Sequence, residues 1–337
     1  MASFINIRNR LWDNAQYKFS IIFCSLYVVL FSVRSYHPEI LLYIFVSILL
    51  SIGIAGIGYA FNDFHDYQDD IRNKKQNLFI QFTRTQGILL VLLFLILSIL
   101  PWFILPFDRY SLALIMTEFI LFILYALPPF RLKERGLAGV LTDALYAQVI
   151  PCLLATYTYS KIDGGIVFDT TFLWIYITWL VIVGSRNIIN HQIEDYHNDV
   201  NTSTATFVTR YGIERSKKWV LYILIPLEFM LFLPLAYHIP GTQHLVVLFF
   251  LLYAVAYLIM QKIRNKSVLF NDTEELNLFL NQKILNEFYE IHLPILLLCY
   301  FSLIKPFFIW ILLLNLGMFS PIYFSYAKGF FLKYIRK

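Results

Sequence analysis

The stretch YAFNDFHDYQDDIRNKK, residues 59–75, sets Asn62, Asp66 and Asp70 at i, i+4 and i+8, with Asp63 beside the first of them. On a helix this spacing gathers the side chains on one face. Like charges held so closely repel, and a divalent cation relieves that repulsion. Hard oxygen donors suit Mg2+, which binds through one or two carboxylates, water and substrate phosphates. Asp66 and Asp70 are therefore expected to be catalytic metal ligands. Asn62 is expected to add a neutral oxygen, and Asp63 completes the set.

A second constellation lies in RNIINHQIEDYHNDVNTSTATFVTRYG, residues 186–212. Asp195 and Asp199 are again spaced i, i+4, flanked by Glu194 and Asn198. Two acidic helix ends on one side of a membrane can face each other across a cavity. Each would hold one Mg2+, with a diphosphate bridging the metals. A third stretch, YALPPFRLKERG, residues 125–136, ends a helix at Pro128 and Pro129. Arg131 and Lys133 then present donors for diphosphate oxygens, and Lys74 and Arg210 are candidates for the same task. A single acidic loop of this kind is ordinarily a solvated helix end. Two in helical phase, both abutting apolar runs, argue for a site. Acids inside membranes also line ion paths, but these stand at helix ends.

The elements that must carry these residues are apolar. Of 337 residues, 59% are hydrophobic and 15% charged, against about 45–50% and about 25% in soluble domains. A crossing helix needs about 20 apolar residues. Candidate spans are 17–35, 39–61, 86–106, 109–127, 138–158, 170–190, 219–238 and 243–262, and 286–326 holds one or two more, broken near Lys305 and Pro306. The expected fold is all-α, a polytopic membrane bundle of nine or ten transmembrane helices around a central cavity. It forms one domain over 1–337, with no cleavable signal peptide. Lys and Arg concentrate in 62–84, 131–135, 186–218, 262–283 and 328–337. The positive-inside rule places these, and both acidic motifs, on the cytoplasmic side. In a bacterium the membrane would be the inner or plasma membrane. The net charge of +5 fits basic loops better than a nucleic-acid surface. Cys24, Cys152 and Cys299 lie singly in apolar runs, without metal or disulfide spacing.

Together the three stretches resemble the UbiA superfamily of intramembrane prenyltransferases. Asn62, Asp66 and Asp70, with Asp63, are similar to its N-x-x-x-D-x-x-x-D motif, and Asp195 and Asp199 to its D-x-x-x-D motif. The YALPPFRLK run is similar to Y-x-x-P-P-x-[RK]-x-K of some members. The proline-bearing segment that often follows the first motif is absent from IRNKKQNLFIQF, and VNTSTATFVTRYG lacks the glycine and proline common after the second. The resemblance implies a helical bundle, open laterally to lipid and capped on the cytoplasmic side. It further implies Mg2+-dependent transfer of an isoprenyl group from a prenyl diphosphate to a lipophilic or aromatic acceptor.

Metals and Lys/Arg would neutralise the charge that builds on the leaving diphosphate, and aromatic faces would stabilise the allylic cation. Phe119, Phe122, Tyr125, Tyr146, Tyr157, Trp174 and Tyr176 are candidate faces. Tyr125, Asp143, Tyr146, Arg186 and Asn187 are expected near the cation or the acceptor. Glu118 and Gln148 also interrupt apolar runs. Arg34 and Glu228 are expected near the far interface, pairing or snorkelling. A membrane terpene cyclase would use the same ionisation without an acceptor. A transporter would keep the acidic pairs for ion handling.

Overall fold

In lipid every backbone polar group must find its partner within the protein, and continuous helices achieve this. In the computed structural model, which describes residues 39–72, 77–162, 169–237, 243–264, 285–320 and 324, the apolar runs within those residues fold as helices. The chain order is α1 (Ile40–His65), α2 (Tyr67–Arg72), α3 (Leu78–Gln81), α4 (Arg84–Ile99), α5 (Arg109–Ala126), α6 (Leu137–Ala144) and α7 (Ile150–Ile162). It continues through α8 (Thr170–Glu194), α9 (Tyr196–Asn201), α10 (Phe207–Tyr211), α11 (Ile213–Trp219), α12 (Ile225–Tyr237), α13 (Gln243–Arg264), α14 (Leu293–Ile304) and α15 (Phe308–Met318). Single π-helical turns at Leu145–Val149 and Val220–Leu224 join α6 to α7 and α11 to α12, and a third at Phe288–His292 leads into α14.

Seven described helical stretches are long and apolar enough to cross a membrane: Ile40–His65, Arg84–Phe103, Arg109–Ala126, Leu137–Lys161, Thr170–Glu194, Ile213–Tyr237 and Leu285–Ile304. The protein is an integral membrane protein. The candidate span 17–35, Arg34 and the basic C-terminal tail lie outside the described residues. The expected break at Lys305 is present: α14 ends at Ile304, Lys305 is extended, and α15 begins at Phe308.

Local chemistry sets the helix starts. Thr83 and Gln86 form a reciprocal capping box at α4. The Asp108 carboxylate accepts the Tyr110 and Ser111 amides at 2.9 and 3.1 Å, and Asp169 caps α8 in the same way. Asp108 also takes the Tyr157 hydroxyl at 2.5 Å and the Lys161 ammonium at 3.1 Å, so it pins α5 to α7 at the end remote from the acidic motifs.

Large side chains such as Phe103, Leu303 and Tyr222 stand exposed, as lipid-facing residues do. The main core joins Ile44 of α1, Ile189 of α8, Phe232 of α12, Phe288 and Leu298 of the last long span, and Ile311 of α15. At Gly184 of α8 an added Cβ would sit 2.8 Å from the Cα of Ala144, so glycine lets α8 approach α6 backbone to backbone. Helix α8 thereby lies between α6 on one side and α12 on the other.

Candidate active site

Helical phase carries straight through the first motif. Asp66 caps α1, yet its amide donates to the Asn62 carbonyl at 2.9 Å and the Asp70 amide donates to the Asp66 carbonyl at 2.8 Å. Asn62, Asp66 and Asp70 thus stay on one face across the join between α1 and α2. The second motif repeats the device. The Asp195 amide donates to the His191 carbonyl at 3.0 Å, and the Asp199 amide to that of Asp195 at 2.9 Å. Asp195 and Asp199 share a face across the join between α8 and α9.

Neutral hydrogen bonds then fix the carboxylates. The Asn77 side-chain amide donates to Asp70 Oδ2 at 2.7 Å and to the Asp63 carbonyl at 2.6 Å, while its Oδ1 caps the Phe79 amide at 2.9 Å. Asp63 is buried, and its Oδ2 accepts the Leu78 amide at 2.9 Å. It thereby holds the start of α3 against α1. On the second motif, Asp195 takes the Asn198 amide at 3.3 Å and Asp199 takes the Thr206 hydroxyl at 3.2 Å. Bonds of this kind orient metal-binding carboxylates.

The basic loop folds onto the first motif. After α5 ends, Arg131 adopts a left-handed conformation, with φ 36°, and a 3-10 turn follows at Leu132–Glu134. Gly139 permits this turn to lie on α6, because a Cβ there would come within 2.6 Å of the Leu132 carbonyl oxygen. Lys133, nearly buried, hydrogen-bonds Asp66 Oδ1, and Arg131 Nη2 lies 3.6 Å from the same oxygen. From the other motif, Arg210 donates to the Glu134 carbonyl at 2.5 Å and to that of Ala205 at 3.0 Å. The loop after α5 therefore bridges the segments that carry both acidic motifs.

Among the described residues no three carboxylate, imidazole or thiol groups converge as a ready metal site. The donors at hand are nevertheless all oxygens at helical spacing; neutral partners hold Asp70, Asp195 and Asp199, and Lys133 with Arg131 holds Asp66. That set fits Mg2+, which leaves its remaining positions to phosphate and water.

The family model for the UbiA prenyltransferase family matches residues 21–280. The chain belongs to this family. Comparison with curated protein sequences finds no significant match. A UbiA homolog from Archaeoglobus fulgidus bound to GPP and Mg2+ is similar in structure, with TM-score 0.55 and 16% identity, over 83% of this chain and 96% of that one. A UbiA homolog from Archaeoglobus fulgidus bound to DMAPP and Mg2+ gives 0.56 and 15%, over 83% and 96%. The apo form of a UbiA homolog from Aeropyrum pernix K1 gives 0.56 and 14%, over 83% and 97%.

Within this UbiA fold the aromatic candidates separate. Phe119, Phe122, Tyr146 and Tyr125 form one chain of edge contacts, at 6.1, 5.1 and 5.1 Å between successive centroids. The Tyr146 hydroxyl hydrogen-bonds Asp143. The chain ends at Tyr125, in the last turn of α5, from which the loop that carries Lys133 departs. Trp174 is exposed, Tyr157 is engaged by Asp108 at the remote end, and Tyr176 stacks at 6.4 Å on Trp179.

Arg186 and Asn187 are both engaged by other spans. Arg186 is 0% exposed and forked onto Glu228, itself 0% exposed, and Asn187 accepts from Asn286 at 3.0 Å. Glu228, expected to pair or snorkel near the far interface, is paired with Arg186 and fully buried. Glu118 is buried in mid-span. Lys74 lies outside the described residues. Sequence reasoning missed Asn77, although an asparagine before the apolar run LFI has the signature of a helix cap. It also missed Asn286, whose role depends on a contact 100 residues away.

Proposed function

We propose that this protein is a Mg2+-dependent membrane prenyltransferase that moves an isoprenyl group from a prenyl diphosphate to a lipophilic or aromatic acceptor. The observation that carries this reading is the fold of the basic loop onto the first acidic motif, with Lys133 and Arg131 both at Asp66. Membership of the UbiA family and the relatives solved with GPP, DMAPP and Mg2+ support it.

In this proposal Asn62, Asp66, Asp70, Asp195 and Asp199 supply the oxygens that hold Mg2+, with Asp63 and Asn77 fixing the first set. Bound Mg2+ would offset charge on the diphosphate oxygens as the leaving group departs. Lys133 and Arg131 turn from Asp66 to those oxygens and stabilise the same developing charge. The ring chain from Phe119 to Tyr125 presents π faces toward an allylic cation. The loop after α5 closes the site against water, which would otherwise trap the cation. Both acidic motifs and the basic loop face the cytoplasm, as their Lys and Arg content favours.

The test is purified protein in detergent or nanodiscs with labelled prenyl diphosphates, with Mg2+ or with EDTA. Release of diphosphate that needs Mg2+, with an acceptor-dependent product, is expected. Asp66→Ala and Asp195→Ala should each abolish it while keeping the wild-type unfolding temperature. Full activity in either variant would end this mechanism, and a cyclic product without acceptor would make the protein a cyclase.

A further inference from the structure

The two faces of α8 do different work. Arg186 precedes Asp195 by nine residues. At about 100° per residue the two side chains point to opposite sides of the helix, separated by about 13–14 Å of rise. Gly184, eleven residues before Asp195, shares the Asp195 face and packs on Ala144 of α6. Behind it, Arg186 Nε donates to Glu228 Oε2 at 2.6 Å and Nη2 to Oε1 at 3.2 Å, a two-pronged contact with α12. Nη2 also donates to Asn286 Oδ1 at 2.7 Å, and Asn286 Nδ2 returns to Asn187 Oδ1 at 3.0 Å. Two successive residues of α8 are thus pinned to two other spans.

We infer that Glu228 and Asn286 are positioning residues that set the axial rotation of α8 and so aim Asp195 and Asp199 at the first motif. This rests on the proposed role of those aspartates. A buried ion pair is weak as a source of stability, because desolvation offsets its attraction, and fixing one geometry is its better-attested use. Among the described residues the buried Arg186 Nη1 meets no hydrogen-bond partner, so the pair is not arranged for maximal stability. The fork, by contrast, is directional in a way that apolar packing is not. Side-chain tips lie about 5–6 Å from a helix axis, so a 20° rotation of α8 moves the Asp195 carboxylate by about 2 Å. Misplacement by 1 Å can cost about 100-fold in rate.

The experiment replaces the pair with apolar residues of similar length, Arg186→Met with Glu228→Met, in the full chain in nanodiscs. Removing both charges avoids leaving one buried alone. Two readouts follow. One is the spin-label distance between Gln68→Cys and Val200→Cys, both exposed sites, in a background without native cysteines. The other is the Mg2+ dependence of diphosphate release from geranyl diphosphate. The double variant is expected to keep its unfolding temperature within a few degrees. Its label distance should broaden or shift by about 2 Å, its apparent Mg2+ requirement should rise about tenfold, and its kcat should fall. Arg186→Lys keeps the charge without the fork and should fail to restore the distance. Asn286→Leu, which cuts the bonds to Asn187 and to Arg186 Nη2 but leaves the Arg186–Glu228 fork, carries the same readouts if the double variant does not fold. A folded variant with wild-type label distance and Mg2+ dependence overturns the inference. If the wild type releases no diphosphate, the proposed function falls, and the label distances still decide the positioning role.

Discussion

Asn77→Ser separates two roles that one side chain now performs. Asn77 is 0% exposed and makes three contacts: a cap on Phe79, a bond to the Asp63 carbonyl, and a bond to the Asp70 carboxylate. Serine caps helices about as well as asparagine, so the start of α3 should survive. Its hydroxyl is too short to reach Asp70 and Asp63 together. A hydrogen bond to a charged group contributes about 1.5–3 kcal/mol, and each 1.4 kcal/mol is a factor of about ten. The expected result is a folded protein whose kcat/KM for prenyl diphosphate falls about 10- to 100-fold, with a raised Mg2+ requirement. Asn77→Ala should lose about 0.5–2 kcal/mol more stability through the missing cap. The assay is diphosphate release across a Mg2+ titration, alongside thermal unfolding in detergent. Wild-type kcat/KM in a folded Asn77→Ser protein would refute the claim that Asn77 orients Asp70.

Three further outcomes are expected. Lys133→Ala should raise KM for prenyl diphosphate and lower kcat, with kcat/KM down about 10- to 100-fold for the loss of one charge-assisted contact, and Arg131→Lys should also impair turnover; steady-state kinetics check both. Cysteines at Gln68 and Val200 should react with impermeant reagents from the cytoplasmic side alone, and labelling from opposite sides would separate the two motifs. At the remote end, the Tyr157 hydroxyl above all, with the Ser111 amide, Lys161 and the Tyr110 amide, holds the Asp108 carboxyl well below the usual carboxylate range despite opposing desolvation. A depressed folded value means that its stabilisation is complete above the unfolded pKa near 3.8 and shrinks as pH falls below it. The unfolding-temperature gap between wild type and Asp108→Asn should therefore be constant at neutral pH and narrow only in strong acid.

Much of this protein is determined locally. Runs of about 20 apolar residues leave a backbone in lipid no alternative to helix, so the described spans fall close to the apolar runs. Spacing of i, i+4 fixes a shared face, and the structure adds only that the phase survives the joins at Asp66 and Asp195. Pro128 and Pro129, which lack the amide that a further turn would need, follow the end of α5 at Ala126. What spacing cannot supply is the partner across the bundle. That Lys133 reaches Asp66, 67 residues earlier, depends on Gly139 letting the turn lie against α6. That Glu228 is buried against Arg186 depends on the rotation of two helices 42 residues apart in sequence. The aromatic residues in the spans look alike in sequence, and packing alone decides which join Tyr125 and Tyr146 in one ring chain and which stand exposed. Periodicity records the face on which a side chain lies, whereas the identity of the neighbour on that face is set by how whole helices pack, and no local pattern encodes it.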